Sequence, residues 1–199
     1  MDLILSNKWD QYLDSFEEEN KDLYYKEEYV KLYETDSEKG VCCIANQGEN
    51  IMLFPYLERT FTYFGKTYHD FETAYGYGGP IFNFKDKEFK KTALEELFDF
   101  LKRNDYSCGF VRFHTFLRTY QFSPSEVIFD RKTVAIDLTL REDEILTKEI
   151  HSKNRNVIRK AERSGLQYIA DDKFEYLDEF IRLYNGTMDK LSADEFYYF

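Results

Sequence analysis

Five cations crowd one short stretch of this chain, Lys153-Asn154-Arg155-Asn156-Val157-Ile158-Arg159-Lys160-Ala161-Glu162-Arg163-Ser164-Gly165. The formal net charge of the whole is -11, yet residues 151–163 hold five Lys or Arg against one Glu. That window is therefore +4 and the remainder -15. Lys and Arg hold phosphate and carboxylate oxygens, Arg through a forked guanidinium. The pattern predicts a helix: Ser152 or Asn154 suits its start, Ala161 propagates it, and Gly165 stands where a left-handed C-cap belongs. Arg155 and Arg159 lie at i,i+4 and share a face, which Lys160 and Arg163 extend. One reading is an anion-holding surface for a phosphorylated substrate. The other is a solvated helix face whose cations suit the C-terminal end of the dipole, or whose Arg155 or Arg159 pairs with an acidic helix over 171–179.

A second stretch with chemical potential is Tyr75-Gly76-Tyr77-Gly78-Gly79-Pro80. It reads either as a tight connection with tyrosines packed on the core, or as a cleft wall whose hydroxyls and bare backbone approach a substrate. Asp70 and Glu72, just before it, are ordinary carboxylates near a strand end or a general base for an incoming amine. The pattern Phe113-His114-Thr115-Phe116 places His114 at a strand end, as a hydrogen-bonded histidine or as a base. Three His (His69, His114, His151) without ligand spacing predict no metal site. Cys42 and Cys43 sit in an apolar run and read as buried thiols, not a disulfide framework. An acidic chain of pI near 4.9 argues against DNA as a partner. No apolar run reaches the length of a membrane span, and a cytoplasmic protein is expected.

The elements that must position these residues follow from periodicity. Trp9, Tyr12, Leu13 and Phe16 predict a short amphipathic helix, and Tyr25, Tyr29, Leu32 and Tyr33 a second. Val41 to Ala45 reads as a buried strand, Gln47 to Asn50 as a hairpin turn, and Ile51 to Leu57 as the return strand, with Pro55 at an edge or bulge. Phe61 to Phe71 is an aromatic segment. Leu94, Leu97, Phe98 and Leu101 stripe a helix over 87–103. Strands are expected over 109–114, 126–129, 134–140 and 166–170. Helical sequence fills 142–163, and Phe174, Leu177, Ile181, Tyr184 and Met188 stripe a last helix. The hairpin-length connections predict largely antiparallel pairing. The aromatic ending Phe196-Tyr197-Tyr198-Phe199 and the incomplete second strand-and-helix unit predict the N-terminal part of a longer protein. Its open edges are expected to be covered by another copy, giving a homo-oligomer.

With Tyr75 to Pro80, Ile136-Asp137-Leu138 and Asn154 to Ala161 in view, the sequence resembles the FemAB-like proteins. These are aminoacyltransferases that add amino acids to peptidoglycan precursors, together with acetyltransferase-like relatives in polysaccharide gene clusters. The resemblance runs over the chain but covers only a first domain and the opening of a second. It implies an α/β (α+β) fold with a GNAT-like mixed sheet flanked by helices. Residues 1–133 would be the first such domain and 134–199 the start of a truncated second. It also implies acyl or aminoacyl transfer to a sugar- or nucleotide-linked acceptor, with acyl-CoA or aminoacyl-tRNA as donor, and an inactive fragment in this chain. Substrate-binding candidates on this basis are Arg155, Arg159, Lys190, Tyr197, Tyr198, Tyr75, Tyr77, Gly78 and Gly79; no catalytic residue is named. The loop 75–80 is not assigned to CoA, because Pro80 removes a donor and no helix follows at once. The alternative is a non-catalytic binding or assembly module on the same fold.

Overall fold

The computed structural model describes residues 1–84 and 86–199. The chain divides into two compact units, Met1–Thr133 and Val134–Phe199. Together they make a mixed α+β protein with one mixed sheet.

Unit 1 is built on strands β1 (Asp2–Ser6), β2 (Glu38–Gln47), β3 (Asn50–Tyr63), β4 (Lys66–Glu72), β5 (Ile81–Phe82) and β6 (Tyr106–Phe110). Their order is β1-β2-β3-β4-β6, with β5 also on β3. All pairs are antiparallel except β4 with β6. Short helices α1 (Asp10–Leu13) and α2 (Glu27–Lys31) lie in the N-terminal segment, and α3 spans Lys87–Arg103.

Both faces of the sheet are covered, which explains why β2 and β3 read as unbroken apolar runs. Cys42, Ile44, Ile51, Leu53 and Leu57 pack with Trp9, Leu13, Phe16, Tyr25 and Val30. Their neighbours along the strands, Cys43, Ala45, Met52, Phe54 and Tyr56, point the other way and meet Phe89, Ala93 and Leu97 of α3. The Trp9 indole N–H donates to the Tyr25 carbonyl at 2.7 Å and pins the two N-terminal turns together. Asp86 caps α3 by accepting from the Glu88 and Phe89 amides.

Pro55 is compatible with β3 because its second flank is interrupted. β5 covers Met52 and Leu53, β4 begins at Leu57, and Pro55 falls between them. The aromatic segment 61–71 is a hairpin, β3 into β4, turning at Phe64 and Gly65 with φ of 48° and 76°. A Phe-Gly pair adopts the turn usually signalled by Asn-Gly. The second amphipathic helix is shorter than its tyrosines suggest. A 3₁₀ turn at Leu23–Tyr25 precedes the five residues of α2, so the period breaks, Val30 is buried and Leu32 is 77% exposed.

Unit 2 holds a single turn α4 (Glu142–Glu144), a π-helical turn Ile145–Glu149, and helices α5 (Ser152–Arg163) and α6 (Leu177–Leu191). The helix expected over 142–163 is thus broken at Ile150 and His151. His151 caps α5 in place of Ser152 or Asn154, its ring accepting from the Lys153 amide. Gly165 does close α5: it has φ +73, its amide reaches the Glu162 carbonyl, and the Leu166 amide reaches that of Ala161. The strands expected at 126–129, 134–140 and 166–170 do not form. Ile128, Val134, Leu138 and Ile169 have β-favouring or apolar side chains but stand exposed, without a ladder or a face to pack on. The acidic helix expected over 171–179 starts only at Leu177. Asp171 instead accepts from the Glu175 and Tyr176 amides, a local bond that competes with helix.

Candidate functional site

In unit 1 the loop 75–80 is fixed from three sides. The Gly78 amide donates to the Arg112 carbonyl at 2.7 Å, and the Gly78 carbonyl accepts from the His114 amide at 3.0 Å and the Thr119 hydroxyl at 2.6 Å. Gly78 and Gly79 are buried. A Cβ on Gly78 would lie 2.5 Å from the Thr73 methyl, and one on Gly79 2.7 Å from the Thr119 hydroxyl. These glycines therefore permit close packing of the loop, and their backbone is not bare to a ligand. Tyr75 and Tyr77 remain the accessible part, Tyr75 being 50% exposed.

Around them runs a connected set of rings that periodicity only hinted at. Tyr75 adjoins Tyr33, Tyr33 adjoins Tyr29, Tyr29 meets Tyr24 edge-on at 5.1 Å, and Tyr24 meets Tyr77 edge-on at 5.3 Å. The Tyr29 hydroxyl donates to the Tyr75 carbonyl at 2.8 Å, tying the helical layer to the loop. Burial, then the Asp22 carboxylate and the neighbouring Tyr77 and Tyr33, push the Tyr24 hydroxyl above the ordinary tyrosine value. Burial and the bond to Tyr33 do the same for Tyr29.

His114 lies beneath this band, 1% exposed and 5.0 Å from the Tyr77 ring. The Leu117 amide donates to its Nδ1 at 3.1 Å, which places the ring proton on Nε2. Nε2 then donates to Asp22 Oδ2 at 3.0 Å. Both ring nitrogens are thus engaged within the chain, the arrangement of a tether and not of a base. Asp70 and Glu72 are engaged as well. Arg59 grips Asp70 with two bonds of 3.0 and 2.5 Å, and Arg112 donates to Glu72 at 3.1 Å and to the Thr73 carbonyl at 2.8 Å. Arg112, whose guanidinium also lies over the Phe110 and Tyr75 rings, carried no sequence signal, because only the fold brings it to the loop.

In unit 2 the five cations separate by role. Arg155 folds back and donates to the carbonyls of Leu146, Thr147 and Ile150, the unsatisfied end of the π-helical turn. It does not pair with residues 171–179, and it is half-buried where Arg159 is exposed. Arg163 donates to the Arg159 carbonyl at 3.1 Å. Lys153, Arg159 and Lys160 are exposed, and no carboxylate pairs with them among the described residues. Lys190 is exposed in the last turn of α6, and the Tyr198 hydroxyl donates to Asp189 at 3.0 Å. Tyr197 is 45% exposed. The candidate contacts thus fall into two groups: Tyr75, Tyr77, Gly78 and Gly79 in unit 1, and Arg155, Arg159, Lys190, Tyr197 and Tyr198 in unit 2. Set beside known protein families, curated proteins and solved structures, the chain matches none of them.

Proposed function

We propose that this chain belongs to an acyl- or aminoacyltransferase acting on a sugar- or nucleotide-linked cell-envelope precursor, with α5 holding the anionic part of that acceptor. The observation that carries the reading is the set Lys153, Arg159 and Lys160, exposed and without carboxylate partners among the described residues of a chain of net charge -11. An anion is repelled over most of such a protein and attracted locally to this helix. The donor would be acyl-CoA or aminoacyl-tRNA, and a cytoplasmic location accompanies either. Transfer requires a neutral amine or hydroxyl to attack the donor carbonyl while a base removes its proton, and the thioester or ester bond then breaks to release the CoA thiol or the tRNA hydroxyl.

A second reading, a non-catalytic binding or assembly module, draws on one specific observation. His114, Asp70 and Glu72, the bases suggested in unit 1, are each held by hydrogen bonds or ion pairs within the chain. Calorimetry with a nucleotide-diphosphate sugar, in parallel with transfer assays using labelled acyl-CoA and charged tRNA, separates the two. Binding that weakens in Arg159→Gln and Lys160→Gln, with transfer, supports the enzyme. Binding without transfer supports the module or an inactive transferase fragment, and absence of binding removes all three.

A further inference from the structure

Helix α6 carries an apolar face that unit 2 covers only at one edge, where the Phe199 ring meets Phe180. Tyr176, Leu177, Phe180, Leu183 and Leu191 are 59%, 44%, 53%, 56% and 69% exposed. At 3.6 residues per turn, Tyr176, Phe180, Leu183 and Leu191 form one stripe along the helix, with Leu177 at its border. The neighbouring flank is occupied: the Phe199 ring packs on Phe180 and Tyr184, with centroids 6.1 and 4.9 Å apart. No residue of 134–199 is buried among the described residues, so this stripe is unfinished core and not a minor irregularity.

Charge identifies the occupant. Glu179 in the first turn and Lys190 in the last lie eleven residues apart, three turns, and therefore on the same flank of the stripe. Glu179 is held by Arg182, while Lys190 has no carboxylate partner among the described residues. A second α6 laid antiparallel across the stripe brings Lys190 of each copy to Glu179 of the other. It also opposes the two helix dipoles. A parallel two-fold pair would put this flank on opposite sides of the seam in the two copies, where Lys190 and Glu179 do not meet. The face is self-complementary in one orientation, which is the requirement for a two-fold interface.

We infer that α6 pairs antiparallel with α6 of a second copy of this chain, through Phe180, Leu183 and Leu191 and a reciprocal Glu179–Lys190 contact. A seam on a 15-residue helix is short, so the dimer should dissociate on dilution. Sedimentation equilibrium of the intact chain over a concentration series reads it directly. The expected result is a monomer–dimer equilibrium whose dissociation constant rises about tenfold or more in Leu183→Glu, which places a carboxylate in the seam. Lys190→Glu weakens the dimer, and adding Glu179→Lys restores it, because the reciprocal pair is re-formed with reversed sign. Leu183 is exposed, so the variant should keep its far-ultraviolet circular dichroism. Should it not, the charge exchange at the helix surface still decides. A monomer at every concentration, or a dimer indifferent to the charge exchange, overturns the inference.

Discussion

The two units differ in one respect that governs the rest. In unit 1, β2 and β3 send alternate side chains into two cores, and Trp9, Tyr25, Ile44, Met52 and Leu53 lose essentially all contact with water. In unit 2, helices with equally regular apolar stripes leave them outside. Periodicity is thus enough to make a helix amphipathic, but a core requires a second layer that brings another apolar face. The stability of unit 1 should come from burial, and that of unit 2 from caps, local bonds and partners.

The comparison breaks most visibly at Trp9. Its truncation to Ala removes a fully buried indole and its hydrogen bond, and should cost unit 1 about 3–5 kcal/mol. In the dissociated monomer the same truncation at Leu183, which is half exposed there, should stay within about 0.5 kcal/mol. Because Trp9 is the single tryptophan, its fluorescence reports unit 1 alone, while circular dichroism reports the helices of both units. Denaturant should therefore melt helix before it changes fluorescence; coincident transitions would erase the distinction.

Gly76 gives the next effect. Its φ is +104°, and a Cβ there would stand 2.3 Å from the Tyr24 ring. Gly76→Ala should cost about 1–3 kcal/mol by fluorescence-monitored unfolding, with little change in the helical signal of unit 2. In unit 2, Arg155→Gln removes the donor that closes the π-helical turn, and should lower helix stability by about 1–2 kcal/mol. Arg159→Gln should leave stability unchanged and weaken anion binding instead, so thermal melts and binding titrations of the pair sort structure from recognition.

The smallest expected effect concerns alkaline pH. Burial raises the hydroxyls of Tyr25 and Tyr56 above their unfolded values, so the folded state holds those protons more tightly. Their contribution is complete below about pH 10 and falls as pH rises beyond it. The midpoint of unit 1 should decline there in denaturation series at stepped pH, ahead of any change attributable to unit 2.

How legible this was in the sequence depends on whether a neighbour was needed. Helix α3 reads directly from Leu94, Leu97 and Leu101, and its cap at Asp86 is local. The β2–β3 hairpin reads from its apolar runs and the turn at Gly48. By contrast, Val134 to Leu138 has strand composition and no strand, because pairing depends on a partner that spacing along the chain does not reveal. At the candidate site, the cations of α5 were plain in composition. The inward turn of Arg155 was not, since it answers carbonyls exposed by a π-helical turn that no pattern predicts. The tyrosine band was hidden for a related reason: Tyr24 and Tyr77 meet only after the sheet has brought their segments together.

The bond from His114 to Asp22 spans 92 positions of sequence, while β2 meets β3 across a two-residue turn. Closing a long span is slower than closing a hairpin, because chain entropy must be surrendered before any contact rewards it. The hairpin should therefore form early on the folding route and the histidine tether late. If so, His114→Gln should accelerate unfolding and leave the refolding rate nearly unchanged in stopped-flow chevrons, making this tether a determinant of how long unit 1 persists once folded.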